Sequence, residues 1–272
     1  MVTRIVTDSS ACLRPSVARR LAVRVVPIGI LFSDGTEEQD DTVAPERVGR
    51  AMMAQQAVKS LPPSVLDYLN AVEGWSEPID HVVILTPAAE FTVMHRMATQ
   101  AAALARVPVT VIDTRTAAAA QGLVVEAAAE RAAAGAGGEE VADAARQAAG
   151  AVRLVAALAS LETLRGGGLL PPPSLAGTGP AGSRRLFSFA EGRVEPVGEA
   201  DEAEVVAALE ARWTEGGGDP AVPASIFHAG DEVTAASLRS RLGVKAPLSR
   251  FSAAMTLHTG PGVVGVSWVP AG

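Results

Sequence analysis

Aromatic side chains are scarce: Phe, Trp and Tyr make up 4% of the 272 residues, although 48% of the chain is hydrophobic. A core must therefore be filled by Ala, Val and Leu, with few large rings to anchor it. Cysteine is reduced to Cys12, which excludes an internal disulfide framework and a thiolate metal cluster. Lysine occurs only at Lys59 and Lys245, while arginine is plentiful. No charge-free apolar run reaches the ~18 residues that a membrane-spanning helix needs. Asp8 stands where a secretory leader would carry its apolar segment, so a cytoplasmic protein is expected. The net charge of −7 supplies no basic face for nucleic acid. There is no phosphate-cradling Gly-Lys-Ser/Thr loop and no pair of histidines four apart. Neither a metal nor a cofactor is therefore expected.

What is present alternates between two periodicities. Arg4–Thr7, Val23–Phe32, His81–Leu85 and Val109–Ile112 read as β-strands, the second closed by Asp34-Gly35. Between them, helices are predicted from near Pro15, from Pro45 to about Gln56, around Val65–Val72, up to about Arg106, and over Ala117–Ala134 and Glu139–Ala149. Alternation of this kind implies a mostly parallel sheet with helices on both faces. A boundary is expected after Ala149, giving an N-terminal α/β domain (1–150) and a smaller C-terminal one (151–272) with a mixed sheet. In the latter, Val152–Leu158, Leu186–Phe189, Val194–Val197 and Ala224–His228 read as strands. Glu191-Gly192 reads as a hairpin turn, and Asp201–Thr214 and Asp231–Leu242 as helices. Phe251–Val269 is β-prone.

Two stretches match G-x-G-x-x-G, at Gly177-Gly179-Gly182 and Gly260-Gly262-Gly265. A dinucleotide site needs that pattern between a strand and a helix, and both lead into β-prone sequence instead. Asp8-Ser9-Ser10 closes the first strand, where ligands gather in parallel sheets. With His258 far along the chain, Ser9 or Ser10 reads as a hydrolase nucleophile, or as a helix cap with Asp8 tying down the loop. No G-x-S-x-G elbow presents either serine, which favours the cap. His258 precedes Thr259 and a Gly-Pro-Gly turn, where it either donates to a ligand carboxylate or locks the turn.

In order, Ile5-Val6-Thr7-Asp8-Ser9-Ser10, Val26-Pro27, Asp34-Gly35, Val111-Ile112-Asp113-Thr114, Gln121-Gly122, Leu161–Gly167, His228 and Thr256–Gly262 resemble the DegV family. That resemblance implies a two-domain α/β fold with one long-chain fatty acid held, unchanged, between the domains. A separate kinase subunit then phosphorylates the bound carboxylate. In the family, hydroxyls of a T-S-x-P-type loop and an S-G-T-type loop hold that carboxylate, with the histidine before G-P-G close by. Here Lys59-Ser60-Leu61-Pro62 matches the first loop and Glu90-Phe91-Thr92 the second, so Lys59 and Glu90 replace hydroxyl residues. The ligand-binding residues implied are Ser9, Lys59, Ser60, Thr92, His258 and Thr259. Lys59 and Glu90 either pair with each other and fill the head-group site, or Lys59 alone grips the ligand. Arginines around Leu164-Arg165 and Arg184-Arg185 are expected to face a kinase partner.

Overall fold

A computed structural model of the chain describes residues 1–158, 183–246 and 248–270. The Leu161–Gly167 segment with Arg165 and the Gly177–Gly182 match lie outside the described residues. A parallel four-stranded sheet runs in the order β2-β1-β6-β7, from Val23–Val26, Thr3–Asp8, His81–Thr86 and Val109–Asp113. Its central strand β6 is buried from Val82 to Thr86, as expected of a parallel strand covered on both faces. Because side chains alternate along a strand, Val83 and Leu85 enter one core and Val82 and Ile84 another. The first core is closed by α5 (Ala118–Ala133) and α6 (Gly138–Ala151). The second is closed by α2 (Pro45–Met53), α3 (Val65–Glu73) and α4 (Met94–Leu104).

A mixed six-stranded sheet follows in the order β10-β9-β8-β13-β11-β12. It is built from Arg193–Asp201, Ser183–Ala190, Arg153–Leu158, Val264–Trp268, Ala224–His228 and Leu248–Arg250. Here too the pleat divides the residues. Leu154, Ala156 and Leu158 face α5, while Val155 and Ala157 face α7 (Val205–Glu215) and α8 (Glu232–Leu242). Helix α5 therefore lies between the two sheets, and most of its first two turns are buried Ala, Gly, Leu and Val. Small residues let both sheets approach one helix closely, which accounts for the Ala-rich composition.

The structure corrects the sequence reading in three places. Val23–Phe32 is two strands in two sheets: β2 stays in the parallel sheet, and β3 (Gly29–Phe32) joins a small antiparallel sheet, β4-β3-β5. The Lys59-Ser60 segment is strand β5 (Val58–Leu61) of that sheet and not a loop; β4 is Glu37–Gln39. The β-prone C-terminal stretch opens with helix α9 (Ala253–Thr259). Its N-cap is Ser252, whose Oγ accepts from the Met255 N–H at 3.2 Å. The Ser-Ala-Ala-Met start outweighs the β-branched residues that follow it. α9 packs against α2, β3 and β5.

Candidate functional site

At the carboxyl end of β1, Asp8 caps a single 3-10 turn (Ser9–Ala11), accepting from the Ser10 N–H at 3.1 Å. Its other oxygen accepts from the hydroxyl of Tyr68, the one tyrosine in the chain, at 3.2 Å. Ser10 Oγ bonds to Asp8 and lies 2.8 Å from Gln121 Oε1, whose amide Nε2 donates to Thr7 Oγ1 at 3.2 Å. Asp8 is fully buried, and that burial pushes its carboxyl up to about 6 against the hydrogen bonds it receives. Ser9 Oγ accepts from the Ile28 N–H at 3.0 Å, and the buried Asp40 accepts from the same N–H at 3.3 Å through Oδ1. Burial raises the Asp40 carboxyl too. The cap is therefore Asp8 and not a serine, the reverse of the sequence reading: Ser9 and Ser10 lie within the turn and tie it to Ile28, just before β3, and to α5. Tyr68 and Asp40 escaped the sequence reading, because nothing local marks their partners.

The Gln121-Gly122 pair has a steric reason as well. A Cβ on Gly122 would stand 2.7 Å from the carbonyl oxygen of Ala11, so only glycine lets α5 seat against the turn. Gly122→Ala is expected to lose about 2 kcal/mol of stability by displacing the turn. Urea unfolding measures this, and an unchanged midpoint would refute the close approach.

His258 and Thr259 form the last turn of α9 and are half-buried. Thr259 Oγ1 donates to the Met255 carbonyl at 2.9 Å. Gly260 and Gly262 then take φ of +83° and +88°, which explains the glycines on either side of Pro261. The Gly262 N–H donates to Ala229 O at 2.6 Å, and Gly262 O accepts from Arg184 Nη1 at 2.9 Å.

In β5, Ser60 pairs with Ile30 and Val58 with Phe32. Val58, Ile30 and Phe32 are buried in the core that contains Ala253, Ala254 and Leu257 of α9. By alternation Ser60 shares their face, turned toward α9, while Lys59 lies on the opposite, exposed side. Thr92 Oγ1 accepts from the Met94 N–H at 3.3 Å at the start of α4.

The expected Lys59–Glu90 pair is not formed. Glu90 lies 3.7 Å from Arg115, and the pleat of β5 carries Lys59 away from Ser60's face. Phe91 meets Phe189 edge-on, with centroids 5.3 Å apart. Two of the expected partner-facing arginines, Arg184 and Arg185, are likewise engaged within the chain. Arg184 is buried and bonded to Glu202, Asp231 and Gly262, and Arg185 pairs with Glu199 at 2.8 Å. Burial leaves polar side chains no choice but to find partners, and Arg184 finds them just past β10, at a helix N-cap and in the Gly-Pro-Gly turn, while Arg185 finds Glu199 on the neighbouring strand. His81 and His95 bond to Thr110 and Thr86, and burial lowers the pKa of His228. Among the described residues, no group of acidic, His and Cys side chains is arranged to hold a metal ion. No helix among them is long and apolar enough to cross a membrane.

A parallel sheet with serines at its first strand end, joined through one buried helix to a mixed sheet and flanked by a small antiparallel one, defines an α/β protein. The model of the family described as "Uncharacterised protein, DegV family" matches residues 2–271, and the chain belongs to that family. It is 28% identical over 270 residues to a DegV domain-containing protein of Streptomyces coelicolor, covering 96% of each. A solved DegV family protein from Thermus thermophilus, described for its fatty acid binding, superposes with a TM-score of 0.91 at 27% identity over 100% of both chains. DegV from Bacillus subtilis, described as a fatty acid binding protein, superposes with a TM-score of 0.86 at 18% identity, again over 100% of both chains. At that identity the likeness concerns the fold.

Proposed function

We propose that the chain binds one long-chain fatty acid, unchanged, between an N-terminal α/β unit (residues 1–150) and a C-terminal one (residues 151–272). What carries the reading is the full-length likeness to the Thermus protein described for fatty acid binding. Ser60 and Thr92 are the hydroxyls that meet the carboxylate, with His258 and Thr259 from α9. The packing of α9 on the Ser60 face of β5 supports that grouping, because a buried carboxylate needs convergent donors. Ser9, held by the Ile28 N–H, fixes the turn after β1 to the start of β3 behind them. Lys59 acts at most from the rim. Aliphatic side chains suit the acyl tail, since each buried CH₂ contributes about 0.8 kcal/mol before binding costs. The protein is a cytoplasmic carrier that presents the head group to a separate acyl kinase, and it has no catalysis of its own.

Mass spectrometry of lipid extracted after native purification is expected to find one acyl chain per protein. In delipidated protein, His258→Ala and Ser60→Ala are each expected to weaken fatty acid binding roughly tenfold, the loss of one hydrogen bond to a charged group. Absence of a co-purifying lipid together with no measurable uptake would end the reading. Unchanged affinity in both variants would move the head group elsewhere.

A further inference from the structure

The hairpin of β9 and β10 is held in two different ways at its two ends. At its base, Arg184 is buried and fixed by Glu202, Asp231 and Gly262. At its tip, the turn Glu191-Gly192 leaves its own sheet and rests on the loops that follow β6 and β7. Gly192 N–H donates to Arg115 O at 2.6 Å, and Arg115 Nη2 donates to Glu191 O at 2.8 Å. Glu90 completes the contact from the other loop, beside both Arg115 and Gly192. Phe91 and Phe189 stack edge-on under it.

Two features make this contact releasable where the base is not. Its ion pair is about half exposed on both sides, 55% for Arg115 and 47% for Glu90, so water screens it and competes for it. Arg115 and Glu191 both sit at positive φ, +52° and +53°, a backbone state that residues other than glycine hold only when their surroundings impose it. Between tip and base the outer strand carries a bulge at Pro196–Gly198, with Gly198 at φ +145°. β10 is the edge of its sheet and is mostly exposed. A bulge at an edge is where a hairpin bends.

We infer that the tip of this hairpin is a clasp between the two sheets: Arg115, Glu90 and Phe91 hold it shut, and it swings about the Pro196–Gly198 bulge to admit the ligand. This deepens the proposed function and rests on it, since Glu90 and Phe91 directly precede Thr92 in the loop assigned to the head group. Closing a contact of this kind changes the rate of passage in both directions without adding affinity.

Arg115→Ala and Phe91→Ala, both at exposed positions, test the clasp in the full chain. An aromatic pair or a clasping hydrogen bond of ordinary strength shifts an opening equilibrium roughly tenfold. Association and dissociation of a fluorescent fatty acid, followed by stopped flow, should therefore both accelerate roughly tenfold, with Kd moving less than about twofold. Hydrogen exchange without ligand should rise in 88–92 and 189–193 together. Faster dissociation with unchanged association would mean a lost ligand contact and would overturn the clasp. So would exchange that rises in one segment alone or in neither. If the unmodified protein takes up no fatty acid, the proposed function fails, and the exchange result alone decides whether the two segments open as one.

Discussion

Replacing Arg184 by methionine is expected to lower stability by about 3–5 kcal/mol, the loss typical of breaking a buried ion pair from one side. Its guanidinium donates through Nε to Glu202 at 2.7 Å, through Nη2 to Asp231 at 2.8 Å and through Nη1 to the Gly262 carbonyl at 2.9 Å. Three separate elements converge there: the end of β10, the N-cap of α8 and the Gly-Pro-Gly turn after α9. Methionine keeps much of the packing volume and removes every donor. Glu202 is exposed enough to turn to water, but Asp231 and Gly262 O are not so free. Burial works against the ionised Asp231, and the bonds from Arg184 and Thr234 outweigh it, holding the carboxyl below its ordinary value. Without the arginine only the Thr234 bonds are left to offset the burial cost. Lysine recovers only part of the loss, because an ammonium cannot span three acceptors set in a fork. Arg212, which pairs with Glu215 at 2.9 Å on an exposed helix face, is the comparison. Arg212→Met is expected to cost less than about 1 kcal/mol. Urea unfolding compares the variants without the screening that guanidinium salts impose, and equal losses at the two positions would refute the buried node.

Much of the fold was legible because the parallel strands are buried on both faces and therefore spell continuous apolar runs. His81–Leu85 and Ala224–His228 are read almost to the residue, and so is the hairpin around Glu191-Gly192. The Ala-rich helices were equally plain, although nothing in their composition told that α5 would serve two sheets at once. The failures occur where a non-local partner decides. Val23–Phe32 looks like one strand, yet Pro27 and the bonds that Ile28 N–H makes to Ser9 and Asp40 divide it between two sheets. Within the site, the Asp-Ser-Ser turn at the strand end and the glycine turn after His258 were visible, since both obey local rules of capping and positive φ, although the cap is Asp8 and not a serine. Which charges meet was not. Lys59 and Glu90 occupy motif positions expected to converge, but strand alternation sends one outward and a left-handed turn at Arg115 engages the other. Arg184 looked like any surface arginine until its three partners, 18, 47 and 78 residues away, came together around it.

The buried Asp8 should make stability fall as pH rises through the weakly acidic range. Its carboxyl is raised from 3.8 to about 6, so between those values the folded chain binds more protons at this site than the unfolded chain does. The site's contribution is therefore fully present below pH 3.8 and is lost as pH climbs through about 6, in total about 3 kcal/mol. The hydrogen-bond geometry agrees with a neutral acid. Ser10 has one hydroxyl proton, yet both Asp8 and Gln121 Oε1 lie within its reach. Gln121 cannot turn its amide around, because Nε2 donates to Thr7 Oγ1, whose own proton goes to Leu85 O at 2.9 Å. A protonated Asp8 resolves the shortage by donating to Ser10, which then donates to Gln121. Asp40 is raised by burial too and adds in the same direction, whereas Asp34, held low by its bonds to Thr36, works the opposite way below its ordinary value. Asp8→Asn isolates the site, since asparagine is neutral throughout and its term drops out. Relative to the wild type, the variant should gain about 2 kcal/mol between pH 4.5 and 7.5, the part of the shift that falls within that window. Unfolding free energies in urea at the two pH values measure the difference. A gap between the two proteins that stays constant across that range would mean that Asp8 is ionised throughout and that its burial does not govern its proton.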